Sequence, residues 1–289
     1  MGNRKNNNQL PGQITLFDLE MLPTECRSID DELEAIRHKD LRGYRTLTIK
    51  SGNMLECEIF PIWQTAEKKR AKSISPSSQA QMNLNHKNAK KKIIRLTNAN
   101  FTNGDIWATF GYDDANKPGT LEKAQNDIAN YFRRLARKRK KSGLPNLKYI
   151  YVIEFQSENG KVRCHHHVIM SGGLDRDEIE KSWKGGAYPQ TRRLRAKEDC
   201  GLTGLASYLA KGKTHEKKWN YSKGLKKPSV TIANHKFKKS HIEKMIADES
   251  RIPELLESKC KGYAFRDIEI KRSDFVAGVY VYANMFRRC

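Results

Sequence analysis

Residues 164–170 read Cys-His-His-His-Val-Ile-Met, three imidazoles in a row inside an apolar stretch. A core strand has little use for three such groups. A metal site, a set of nucleic-acid contacts and simple packing are the readings to separate. The segments NLKYIYVIEFQ (146–156) and KVRCHHHVIM (161–170) both have strand chemistry, and Ser-Glu-Asn-Gly joins them. Asn159-Gly160 is the favoured pair for a two-residue type I′ hairpin turn. With that pair at the tip, Glu158 faces Lys161, Glu154 stands opposite His165 and Val152 stands opposite His167. Directly opposed residues share a face, with Cβ atoms roughly 5 Å apart. Alternation sends Cys164, His166 and Val168 to the other side.

His165, His167 and Glu154 thus converge as two imidazoles and a carboxylate. This is a three-ligand set for a divalent ion, with positions left open for water and substrate. Its donors suit Mn²⁺, and Mg²⁺ where a phosphate adds oxygen ligands. Many strands carry histidine pairs without a metal, so the opposed Glu154 is what favours one here. A one-residue slip in register would turn Glu154 away.

A second segment, LTGLASYLAKGK (202–213), places Leu202, Leu205 and Leu209 on one stripe of a helix. Tyr208 sits at the edge of that stripe, and Lys211 lies one turn later on the same side. Alone, this is an ordinary packing tyrosine. Beside a metal it acquires a role. Phosphodiester cleavage by tyrosine needs the phenol oxygen, a cation to polarise the phosphate and a positive group near the phenolate. A covalent phosphotyrosine also keeps the bond energy, so the same site can reseal the strand.

These motifs resemble those of the HUH endonucleases, and within them the rolling-circle replication initiators with a single tyrosine. The family's His-hydrophobe-His strand corresponds to His165–His167, and its Tyr-x-x-Lys helix to Tyr208–Lys211. A first motif, rich in Thr and aromatics, corresponds to IWATFGY (106–112). His166 departs from the usual hydrophobe, and Phe110-Gly111 stands where a second Thr is usual. Two-tyrosine initiators place the second tyrosine where Gly212 stands. The resemblance implies an α+β fold with a central antiparallel sheet of about five strands flanked by helices. It implies metal binding by His165, His167 and Glu154, a nucleophilic Tyr208 and an assisting Lys211. The implied activity is a nick and rejoining of single-stranded or melted origin DNA through a 5′-phosphotyrosine.

The bulk composition agrees with a nucleic-acid partner. Of 289 residues, 55 are Lys or Arg and 33 are Asp or Glu, a formal charge of +22. Such an excess is costly by self-repulsion unless a polyanion is the working partner. The helix expected over 120–141 carries an apolar stripe of Leu121, Ala124, Ile128, Phe132 and Leu135, and ends in RRLARKRKK. Arg133, Arg134, Arg137, Lys138 and Arg139 are therefore candidate phosphate contacts. Lys217, Lys218, Trp219 and Lys223 belong to a lysine-rich stretch (211–240) whose interleaved aromatics suit stacking on unpaired bases. Trp63, Trp107 and Trp183 are expected in the core.

Four regions are expected: a flexible lead-in (1–28), an accessory hairpin and linker (29–90), the catalytic domain (91–240) and a C-terminal helix with strands packed on it (241–289). No apolar run has membrane-spanning length, and the opening residues lack a signal-peptide block. Met-Gly opens the chain, but Asn6 stands where myristoylation wants Ser or Thr. The six cysteines lie at least 29 residues apart, which excludes zinc-finger spacing and suits idle thiols in a reducing cytoplasm. The sequence AKGKT is no phosphate loop, because Ser207 stands where the first glycine is needed. An initiator of this kind would rely on a separate helicase. The competing readings are a relaxase or transposase of the same fold, a water-using nuclease indifferent to Tyr208, and a non-enzymatic nucleic-acid-binding protein. Relaxases usually place a third histidine where Glu154 stands.

Overall fold

A computed structural model of the chain describes residues 29–63, 79–155, 163–211, 219–272 and 278–288. The fold is α+β, with two antiparallel five-stranded sheets. The chain divides into two compact units, one comprising 1–87 with 229–289 and the other 88–228.

The first unit begins with α1 (Ile29–Arg37) and a hairpin of β1 (Leu41–Ser51) and β2 (Met54–Trp63). Ser51 pairs with Met54 across Gly52-Asn53, the turn expected from Ser-Gly-Asn. Gly52 has φ 61°, a conformation glycine adopts without steric cost. The unit is completed by β8 (Ser229–Ala233), α6 (Lys239–Ala247), α7 (Ile252–Lys259), β9 (Tyr263–Arg272) and β10 (Val279–Arg287). Its strand order is β8-β1-β2-β10-β9. Leu55, Cys57, Ile59, Val281 and Ala283 form a core with Ile242 and Met245 of α6 and Leu256 of α7. β10, near the end of the chain, pairs with β2 of the N-terminal hairpin. Strand partners far apart in sequence leave no trace in local pattern.

The second unit holds α2 (Gln79–Asn100, shared at its start with the first), β3 (Ile106–Phe110), α3 (Leu121–Lys141), β4 (Tyr149–Glu154) and β5 (His165–Met170). It continues with α4 (Arg176–Lys181), β6 (Gln190–Arg193), α5 (Thr203–Leu209) and β7 (Trp219–Tyr221). The strand order is β6-β3-β5-β4-β7, so the histidine strand is central. Thr120 caps α3 by accepting a hydrogen bond from the Lys123 N–H at 3.2 Å. Ala124, Ile128, Phe132 and Leu135 of α3 are buried, as the stripe predicts. They pack on Ile106, Ala108, Phe110, Val168 and Met170, which line one face of the sheet. On the opposite face, Ile150, Val152 and Ile169 meet Ile93 and Leu96 of α2 and Leu202, Ala206 and Leu209 of α5. Cys57, Cys164, Cys200 and Cys260 are buried free thiols.

Candidate active site

The β4–β5 register is Glu154 opposite His165 and Val152 opposite His167. This is the pairing that an Asn159-Gly160 turn requires, although the turn itself lies outside the described residues. On the other side of β5, Thr109 of β3 stands opposite His167. A row of opposed residues therefore crosses one face as Gln190, Thr109, His167, Val152 and Trp219. The next row is Arg192, Trp107, Ile169, Ile150 and Tyr221.

Glu154 Oε2 lies 3.2 Å from His165 Nε2, and Oε1 lies 3.8 Å from His167 Nε2. The two Nε2 atoms are 3.2 Å apart. His165 Nδ1 is 2.9 Å from the Arg163 carbonyl oxygen, which can only accept, so the neutral ring carries its proton there. Thr109 Oγ1 stands 3.2 Å from His167 Nδ1 and takes the same supporting position. Partners on the rear nitrogens are the usual means of fixing ring orientation in metal-binding histidines. They leave two ring lone pairs and a carboxylate pointing at one spot, an arrangement that repels itself until a cation enters. Glu154, His165 and His167 offer ligand atoms all within 4.8 Å of one another, and together could hold a divalent ion. Burial, then the neighbouring His165, lower the His167 imidazole below its ordinary value, against the pull of Glu154. Neutral imidazole is the form that ligates a metal.

His166 points away from this group, as alternation requires. It is buried, with Nε2 2.8 Å from the Tyr112 hydroxyl. Burial, followed by the two flanking histidines, lowers its pKa to about 3, so it packs as a neutral ring.

Tyr208 is delivered to the same face by α5. Asn98 of α2 holds the start of that helix: its Oδ1 accepts from the Leu202 N–H at 3.0 Å, and its Nδ2 donates to Thr203 Oγ1 at 3.2 Å. Leu202, Ala206 and Leu209 are buried, while Tyr208 is 47% exposed and open to a substrate. The Tyr208 ring meets His167 edge-on, with centroids 5.4 Å apart and planes at 70°. Trp107 supports both: it stacks on His167 at 5.3 Å and lies 6.1 Å from Tyr208. Lys211 Nζ is 5.9 Å from the Tyr208 ring centroid.

The basic end of α3 does not join this group. That helix packs on the sheet face opposite the His165–His167 pair. Arg139, expected among the phosphate contacts, is buried, with its guanidinium donating to the carbonyls of Pro145 at 2.8 Å and Gly172 at 2.6 Å. Gly172 lies beyond the end of β5 remote from His165. Arg134 donates to the Ser182 carbonyl at 2.9 Å, Lys138 to that of Glu178 at 3.3 Å, and Arg133 to Asn130 Oδ1 at 2.6 Å. Arg137 is exposed on the same helix. Trp219 is on the site face, stacked on Tyr221 at 5.5 Å with Lys92 Nζ 5.6 Å from its ring. Lys223 is exposed just past β7. Lys217 and Lys218 lie outside the described residues. Sequence reasoning missed Trp107, Thr109, Asn98 and the β6 side chains. The alternation of β3 could have placed Trp107 with Thr109, but no local signal sets β6 beside them.

Residues 105–217 match the family model described as Replication-associated protein ORF2/G2P. No curated protein and no solved structure matches the chain. The matched stretch runs from the start of β3 past α5 and contains Thr109, Glu154, His165, His167, Tyr208 and Lys211. The match supports a part in the initiation of replication. Among the described residues no helix is long and apolar enough to cross a membrane.

Proposed function

We propose that the chain is a metal-dependent endonuclease and ligase that nicks one DNA strand to start rolling-circle replication, with Tyr208 as its nucleophile. The observation that carries this reading is the delivery of Tyr208, from a different helix, to the two-histidine, one-carboxylate cluster. A packing tyrosine has no need of that neighbour, and a water-using nuclease has no need of the tyrosine.

The residues fit a divalent ion, because two Nε2 lone pairs and a carboxylate face one point with their rear nitrogens already supported. Bound there, Mn²⁺ or Mg²⁺ would polarise the scissile phosphate. Glu154, His165 and His167 would hold the ion, and Thr109 would keep the His167 ring turned toward it. Tyr208 Oη attacks phosphorus, and the bond from phosphorus to the 3′ oxygen breaks. The phenolic proton passes to the solvent that reaches this exposed ring. The departing oxygen takes up a proton as a free 3′-OH, leaving the 5′-phosphate on tyrosine. Lys211 supplies positive charge beside the developing phenolate. Attack by a 3′-OH on the phosphotyrosine reverses the step and joins the strand.

The test is metal-dependent cleavage of labelled single-stranded oligonucleotides drawn from the origin of its genetic element. Wild type should nick in Mn²⁺ and not in EDTA, and His165→Ala with His167→Ala should not nick in either. Nicking that survives both changes would contradict the assigned site.

A further inference from the structure

We propose that a pocket beside Tyr208 binds one nucleotide of the DNA strand next to the cleaved phosphate, its phosphate on Arg192 and Arg195 and its base against Trp107. The proposal rests on the nicking reading and names the part of the site that grips the strand.

A depression of about 580 Å³ lies between the β6 edge and α5. That volume is within the roughly 300–1,000 Å³ typical of small-molecule sites. His167 and Tyr208 both line it, so it opens directly onto one candidate metal ligand and the candidate nucleophile. One part of the wall is apolar, from Trp107 and Leu205; another is cationic, from Arg192, Arg195 and Lys197, and Gln190 also lines it. Among the described residues no aspartate or glutamate lines the pocket. The strand register explains the arrangement: Arg192 stands opposite Trp107 and Gln190 opposite Thr109, all on the face that carries His167.

Arg193, the next residue along β6, donates to the Gly104 carbonyl at 2.8 Å and so braces the fold. By contrast, among the described residues the side chains of Arg192, Arg195 and Lys197 have no hydrogen-bond or ion-pair partner. All three are exposed. Three unpaired cations beside an indole, with no acid among them, favour an anion that also carries a flat ring. A nucleotide in a single strand supplies both: the phosphate takes charge-assisted bonds and the base packs on the aromatic surface. Gln190 offers a donor and an acceptor for a base edge.

The test uses the full chain in EDTA and fluorescein-labelled dT12, with binding followed by anisotropy over a salt series. Each single-strand phosphate that loses its cationic contact lowers the slope of log affinity against log salt by about 0.7. R192A/R195A should therefore lower the slope by about 0.7 and weaken binding on the order of 5-fold near 0.1 M salt. R192K/R195K keeps the charges and should keep the slope. Both arginines are exposed, and unchanged circular dichroism checks that the variants are folded. With bromodeoxyuridine in the probe, irradiation should attach it to the peptide containing Trp107. Unchanged affinity and slope in R192A/R195A, or crosslinks confined to the far end of α3, would overturn the pocket. If Tyr208 still forms its DNA adduct in that case, only the pocket assignment falls. If wild type does not bind dT12 at all, the nicking reading falls with it.

Discussion

Thr109 Oγ1 and His167 Nδ1 lie 3.2 Å apart across the β3–β5 pair, so the strand beside the histidines supports how one of them faces Glu154 and His165. Removing this support leaves the ligand in place but frees its ring. T109V should weaken Mn²⁺ binding by about 10- to 100-fold, the usual cost of losing such a partner. Titration calorimetry of the two proteins checks this, and equal affinities would show that the hydroxyl has no orienting role.

Asn98 acts on Tyr208 through the start of α5, where it both accepts from the Leu202 N–H and donates to Thr203. N98A should cost about 1–3 kcal/mol of stability through the polar groups left unpaired. It should also slow DNA adduct formation while leaving Mn²⁺ affinity unchanged. A parallel fall in metal affinity would mean that the damage is general and not confined to the helix that carries Tyr208.

Arg139 gives a contrasting expectation. Its buried guanidinium satisfies carbonyls at the end of α3 and past β5. R139M should lower stability by about 1–3 kcal/mol in urea unfolding, the cost of orphaned buried acceptors. Its dT12 affinity should stay at the wild-type value as long as the protein is folded, because α3 is on the face away from Tyr208. A fall in affinity matching that of R192A/R195A would put DNA on the α3 face instead.

Glu180 of α4 secures β6 from that same rear face. Hydrogen bonds from Thr191 and then Tyr188, with Arg176 nearby, lower its carboxyl below the ordinary 4.5. A depressed folded value contributes stability above the unfolded value near 4.5, and that contribution is lost as pH falls through the depressed one. Wild type should therefore lose Tm as the pH is lowered below about 4.5, and E180Q should lose less over that interval. Parallel Tm profiles for the two proteins would show that Glu180 is not the group responsible.

The placement of Glu154, His165 and His167 was legible because two short-range rules sufficed for it. Strand alternation separated His165 and His167 from His166, and the Asn-Gly pair fixed Glu154 opposite His165. The apolar stripe of α3 was equally local. Which face that helix covers is not local, so its basic end carries no sign in the sequence that it packs on the face away from Tyr208. Strand neighbours set by tertiary packing were also invisible. The β6 edge comes to lie beside β3 after a chain excursion through α3, β4, β5 and α4, and β10 joins β2 across most of the chain. The arginines of β6 therefore gained meaning only from their register with Trp107 and Thr109.

The most direct measurement is mass spectrometry of the protein after incubation with origin-derived single-stranded DNA and Mn²⁺, followed by nuclease digestion. Wild type should carry a nucleotide-phosphate adduct on the peptide containing Tyr208, and Y208F should carry none. Nicking of the same DNA by Y208F at the wild-type rate, with no adduct on either protein, would contradict it.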